Sequence, residues 1–138
     1  MIAYLDASVA LRLVLGQAGA LREWGAVEGG VVSARVEVEC LRSLDRWRLR
    51  ERTPEAEAAR RREAVFRLLE TFAVMEVSSA VLSRAALPLP AALGTLDAIH
   101  LATALLWSER SRTPLVMATH DAVLGLAARA MGLRVIGL

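Results

Sequence analysis

Five short apolar runs, each followed by residues at helical spacing, predict an α/β domain: a parallel sheet with helices on both faces. Two further observations support that class. At 138 residues the chain is most simply one domain, 1–138, able to bury a sizeable core. It is also 55% hydrophobic with a mean hydropathy of +0.41, which excludes a disordered polypeptide. Aromatic residues make up only 4%, so the core is expected to consist of Leu, Val and Ala.

The elements follow in order. IAYL (2–5) is the first strand and ends sharply at Asp6, after which ASVALRLVL runs at helical spacing to Gly16. GALREWGAVEGG reads as a short helix ending in a Gly29-Gly30 turn, and VVS (31–33) as the second strand. A long helix is expected over 34–52, with Val36, Cys40, Leu44 and Trp47 as its core stripe. Thr53-Pro54 reads as the N-cap and first-turn proline of a helix over 54–70. FAVMEV (72–77) is the third strand, and the helix after Ser78-Ser79 stops before Pro88. GTLDAIHLATALLW (94–107) is apolar nearly all round and so predicts a buried helix, with Thr95 placed as its N-cap. LVMAT (115–119) is the fourth strand, DAVLGLAARAMG (121–132) a helix closed by glycine, and RVIG (134–137) the last strand.

Composition narrows the function classes. The longest stretch without Asp, Glu, Lys or Arg is 85–96, and it holds two prolines and a glycine. A membrane span needs about 20 apolar residues. Asp6 interrupts the N-terminus before the apolar region of a signal peptide develops. The single Cys40 excludes an internal disulfide framework and a cysteine-rich zinc site, and a cytoplasmic protein is expected. All 17 basic residues are Arg, with no Lys and no Asn, a pattern read as coding bias. A net charge of +2 and a pI near 9.4 permit an anionic partner without requiring one.

The chemistry-bearing signal is acidic. The chain has four Asp residues, and two of them, Asp6 and Asp121, stand where a strand ends and a helix begins. Asp97 heads the buried helix. Each alone reads as a helix cap or dipole partner, worth about 0.3–2 kcal/mol. Parallel topology, however, gathers the carboxyl ends of neighbouring strands, where α/β proteins build their sites. A fourth acid comes from the long helix. Glu39 shares a stripe with Arg35, Arg42, Arg46 and Arg50, whereas Glu37 lies roughly 160° away around the helix. The alternative reading of Glu39 is surface pairing with Arg35 or Arg42. Four carboxylates brought together cannot remain bare, since two unit charges about 4 Å apart repel by about 4 kcal/mol at an effective dielectric of about 20. Either some are protonated or a divalent cation sits among them, and an all-oxygen set suits Mg²⁺ or Mn²⁺ rather than zinc. Such a site suggests phosphodiester hydrolysis.

These residues resemble a known family, the PIN-domain ribonucleases, and within it the VapC-type toxins of prokaryotic toxin–antitoxin pairs. YLDAS (4–8) is similar to their first strand and aspartate, VECLRSL (38–44) to a Glu-x-x-Arg-x-Leu helix, LDAIHLATAL (96–105) to the third acidic motif, and ATHDAVLGLAARAMGLRVI (118–136) to the fourth. The resemblance implies a three-layer PIN-like sandwich whose five-stranded parallel sheet runs 3-2-1-4-5. It further implies an endoribonuclease dependent on Mg²⁺ or Mn²⁺, a homodimer, and a cognate antitoxin partner. By motif position Asp6, Glu39, Asp97 and Asp121 are the acidic quartet. Asp6 and Asp97 are expected as direct metal ligands, with Asp121 completing the site. For Glu39 three roles stay open: ligand, water-mediated contact, or placement of the nucleophile. Ser8 and Thr119 are expected to orient the carboxylates by donating hydrogen bonds.

Other residues weigh less. His100, one turn after Asp97, reads as a packed, hydrogen-bonded histidine, and His120 as an exposed loop residue with phosphate contact as the sharper option. Ser33 lacks any nucleophile-elbow context and reads as a strand-end serine. Cys40 reads as core. The arginine stripe, Arg35, Arg42 and Arg46 above all, is either a solvated face interleaved with glutamates or a contact surface for RNA or antitoxin. Two rival functions stand beside the ribonuclease reading. An aspartate-based phosphatase or phospho-acceptor domain is opposed by Ser8 where a second aspartate belongs and by the absence of lysine. The other is a non-catalytic binding module on the same fold.

Overall fold

The computed structural model describes all 138 residues. Five strands, β1 (Ile2–Leu5), β2 (Gly29–Ser33), β3 (Phe72–Met75), β4 (Leu115–Ala118) and β5 (Arg134–Ile136), form one parallel sheet in the order β3-β2-β1-β4-β5. Helices α1 (Ala7–Leu15), α2 (Arg35–Glu51) and α3 (Glu55–Glu70) cover one face. The other is covered by α5 (Thr95–Ser111) and α6 (Ala122–Ala130), with α4 (Ser79–Ala85) packed against α5. The strand order reverses at β1, so the first and fourth strands stand side by side with their carboxyl ends level: Leu5 pairs with Ala118.

The two cores follow from the period of two along each strand. Ala3 and Leu5 of β1 face α1, α2 and α3, while Tyr4 between them faces α5 and α6. Every residue of α5 from Ala98 to Leu105 is buried, which explains its lack of a polar stripe. No helix is long and apolar enough to cross a membrane.

Several boundaries differ from the sequence expectation. Gly29 and Gly30 are strand residues of β2 rather than a turn, and only a 3₁₀ segment, Arg22–Ala26, precedes them. A Cβ at Gly30 would lie 1.6 Å from the Phe72 ring, so the glycine is there to let Phe72 of the neighbouring strand lie across it. Thr95 is the first residue of α5, not its cap; Gly94 holds the cap position without any side-chain hydrogen bond. Pro54 rather than Thr53 stands at the cap of α3. The third strand ends at Met75, because the carbonyl of Glu76 already accepts the Ser78 N–H in the turn into α4.

Candidate functional site

The strand-end aspartates are fixed by local geometry. Asp6 leaves β1 with extended backbone and caps α1, its Oδ1 accepting from Val9 N at 3.0 Å and from Ser8 Oγ at 2.7 Å. Its Oδ2 accepts from Thr119 Oγ1, across the gap between the ends of β1 and β4. Asp121 caps α6 through Leu124 N at 2.8 Å, and its own N–H donates to Thr119 Oγ1 at 3.0 Å. Ser8 closes the web by accepting from His120 N at 3.3 Å. Capping and site-building are therefore the same act here: one hydroxyl, that of Thr119, ties both caps together.

Thr119 in turn depends on the last strand. Its N–H donates to the Ile136 carbonyl, and the next residue, Gly137, has φ +95°, where a side chain would be strained and its Cβ would lie 2.7 Å from the Thr119 carbonyl. The imidazole of His120 packs here too, with Nδ1 hydrogen bonded to the Gly137 carbonyl at 2.6 Å. His120 is thus half-buried and anchored to Gly137, just after β5, rather than an exposed loop residue, and its Nε2 is buried without a partner.

Glu39 reaches the same edge from the opposite helix layer. It is mostly buried on α2, whereas Glu37 is exposed. Its Oε2 lies 2.9 Å from His100 Nε2, and its Oε1 is 3.5 Å from Arg35 Nε. Burial alone would push this carboxyl up, but the hydrogen bond from His100, with the hydrogen bond and charge of Arg35, holds it below the ordinary glutamate value. His100 Nδ1 faces the Tyr4 hydroxyl at 2.8 Å, wholly buried under the sheet edge. The pairing of His100 with Glu39 rather than with Asp97 was not legible in the sequence. The partners are 61 positions apart, and the only hint was a phenol in an otherwise aliphatic strand two residues before Asp6.

Asp97 differs from the other three. It stands in the first turn of α5, half-buried, with no hydrogen bond or ion pair. Its carboxyl is held above the ordinary aspartate value by burial first, then by the charge of Asp121, with Asp6 and Glu39 adding to it. The three other acids thus all act electrostatically on Asp97. The donor set is all oxygen, and a carboxylate offers about four lone-pair sites. Asp97 uses none and Asp121 one, so the chemistry suits a hard divalent cation. No three acidic, histidine or cysteine side chains close round one point tightly enough to hold an ion in this arrangement.

A shallow groove of about 490 Å³ leads away from the acids, lined among others by Ser8, Glu39, Arg35, Arg42, Arg46 and Leu96. Arg42 is bonded to Asp45, which Arg48 also holds at 2.9 Å, and Arg46 has only the Ser43 hydroxyl at 3.0 Å. On α3, Arg60 and Arg61 pair with Glu57 and Arg67 with Glu63, as a solvated ionic face would. Ser33 is buried at the end of β2 and accepts from Arg35 N at 3.3 Å. Cys40 is fully buried, its thiol pushed up to about 12 by burial and by the charges of Glu39 and Asp6, so it is no nucleophile.

Known proteins share this architecture. The structure is similar to a toxin–antitoxin complex from Klebsiella pneumoniae, with a TM-score of 0.64 and 20% identity over 89% of each chain. It is also similar to VapBC2 from Rickettsia felis bound to a promoter DNA fragment, with a TM-score of 0.62 and 11% identity over 98% of this chain and 97% of that one. A third likeness is to VapC20 of Mycobacterium tuberculosis, a sarcin-ricin loop cleaving toxin, with a TM-score of 0.60 and 17% identity over 95% of both chains. At such identities the likeness is one of fold. No curated protein sequence matches the chain. The sequence model of the PIN domain matches residues 3–130, nearly the whole length, and the chain belongs to the PIN domain family.

Proposed function

We propose that the protein is a metal-dependent endoribonuclease, the toxin of a toxin–antitoxin pair, that hydrolyses RNA phosphodiester bonds at Asp6, Glu39, Asp97 and Asp121. The observation that carries this reading is Asp97. It is a half-buried carboxylate without a hydrogen-bond partner, crowded by the charges of three other acids at the carboxyl edge of a PIN-domain sheet. A bound divalent cation relieves the repulsion in such a cluster.

Asp6, Asp97 and Asp121, with Glu39, would hold Mg²⁺ or Mn²⁺. The bound ion supplies an activated water and neutralises charge on the phosphate oxygens. Ser8 and Thr119 keep Asp6 in one orientation, so its remaining lone pair is aimed before any ion arrives. Arg46, which no carboxylate neutralises, is available to an RNA phosphate along the groove, with Arg35 and Arg42 beside it. The solved toxin–antitoxin complexes support a cognate antitoxin as partner, and a cytoplasmic homodimer completes the proposal.

The test is RNA cleavage by protein freed of antitoxin, with Mg²⁺, Mn²⁺ or EDTA, beside Asp97→Asn. Cleavage is expected with either ion and absent in EDTA and in the variant. Cleavage that survives both would overturn the metal mechanism. Failure of the wild-type chain to cut any RNA or to bind either ion would leave a PIN-fold binding module instead.

A further inference from the structure

Beneath the acids a chain of buried polar groups crosses the molecule: Tyr4 on β1, His100 on α5 and Glu39 on α2. Its two contacts are short, 2.8 Å from the Tyr4 hydroxyl to Nδ1 and 2.9 Å from Nε2 to Glu39 Oε2. Tyr4 is 0% and His100 2% exposed, so neither can exchange these partners for water. The His100–Glu39 contact is also the one side-chain hydrogen bond that joins α2 to α5, helices on opposite faces of the sheet.

We propose that His100 is a positioning residue: the Tyr4 hydroxyl donates to Nδ1, which fixes the ring proton on Nε2, and that N–H holds Glu39 in place at the sheet edge. The assignment follows from donor and acceptor capacity. A carboxylate can only accept, so Nε2 must carry a proton. A phenol in a dry interior needs an acceptor for its O–H, and a bare Nδ1 at 2.8 Å supplies one. With Oε2 taken by His100, Oε1 is the oxygen of Glu39 left toward Arg35 and the groove. Without the imidazole, the side chain of Glu39 would be free to swing along the helix surface toward its arginines, and α2 would lose its only polar tie to the helix carrying Asp97. The arrangement matches a metal-site support in which a partner group fixes which oxygen faces the ion. What Glu39 does when so held rests on the ribonuclease reading; that it is held does not.

The experiment therefore has two arms on the full-length chain. Nitrogen-15 spectra of the histidine rings, recorded without metal, are expected to show His100 protonated at Nε2 and bare at Nδ1. Glu39→Gln should shift the Nε2 resonance, and Tyr4→Phe, which keeps the shape of the ring, should let the proton redistribute between the two nitrogens. A proton found on Nδ1 in the wild type, or a spectrum indifferent to both variants, overturns the proposal whether or not the protein cuts RNA. In the second arm, Mn²⁺ affinity by calorimetry and RNA cleavage are measured for Tyr4→Phe, His100→Leu and His100→Gln, with circular dichroism confirming the fold. Tyr4→Phe and His100→Leu should each lose about 10–100-fold in Mn²⁺ affinity or kcat with KM little changed, and His100→Gln, which keeps an N–H donor, should recover part of the loss. Folded variants that bind Mn²⁺ and turn over like an active wild type would overturn it. A wild type that never cleaves RNA sinks the ribonuclease reading alone, and the ring spectra and Mn²⁺ affinities still decide the positioning.

Discussion

Asp6 and Asp97 sit at the same edge of the sheet, yet the chain treats them oppositely. Asp6 is 5% exposed and receives hydrogen bonds from a backbone N–H and two hydroxyls. Asp97 is more open and receives none, while burial and the neighbouring acids raise its carboxyl. One acid is satisfied by the protein's own donors; the other has none. A buried carboxylate with three donors supports the fold, whereas a crowded one without donors costs stability.

Substitutions can break that contrast. The largest expected effect is on turnover: Asp97→Asn should lower RNA cleavage by on the order of 10²–10³-fold or more while the circular dichroism spectrum stays native. Next comes Asp6→Ala, which strands Val9 N–H and the hydroxyls of Ser8 and Thr119. It should destabilise the fold by about 2–3 kcal/mol in urea melts, and a loss under about 0.5 kcal/mol would show that the web is not structural. Mn²⁺ at ten times its dissociation constant should raise the wild-type Tm by roughly 5 °C, and clearly less in Asp97→Asn.

A smaller effect, of opposite sign to Asp6→Ala, is expected in EDTA. There Asp97→Asn should melt above the wild type. Because the folded carboxyl is raised above its ordinary 3.8, the folded state holds more proton than the unfolded one over the window that starts there and runs up to the raised value. Wild-type stability is lost as pH rises through that window, and the advantage of Asp97→Asn should open over the same range. Paired melts from pH 3 to 7 (about four units, spanning the ordinary carboxylate range) would show it, and parallel curves would refute it. Smallest of all, Arg46→Ala should leave Tm unchanged, since its only hydrogen bond is to Ser43. It should weaken RNA binding and reduce the slope of log K against log salt by about one.

Much of this contrast was legible in the residues. Asp6 and Asp121 each end an apolar run and begin a helical one, and both cap the helices that follow. The stripe on α2 separated Glu39 from Glu37 because a helix places them on different faces. The Gly29-Gly30 turn misled for a physical reason: glycine marks turns and close approaches alike, and only the neighbouring Phe72 distinguishes them. Thr95 failed as a cap because the chain enters α5 one residue earlier, at Gly94, with no side-chain bond. His120 was misplaced because its anchor, the Gly137 carbonyl, belongs to the segment after the last strand.

Sequence alone determined what depends on period and punctuation: five apolar strands, the buried helix α5, the two aspartate caps, and which acids could share an edge. It did so because side-chain direction in helices and strands is set by local geometry. Only the tertiary structure decided how the acids differ. Thr119 joins Asp6 across 113 positions, Glu39 meets His100 across 61, and Asp97 meets no donor at all. Those differences arise from burial and from partners that sheet order brings together, and neither quantity exists in an unfolded chain.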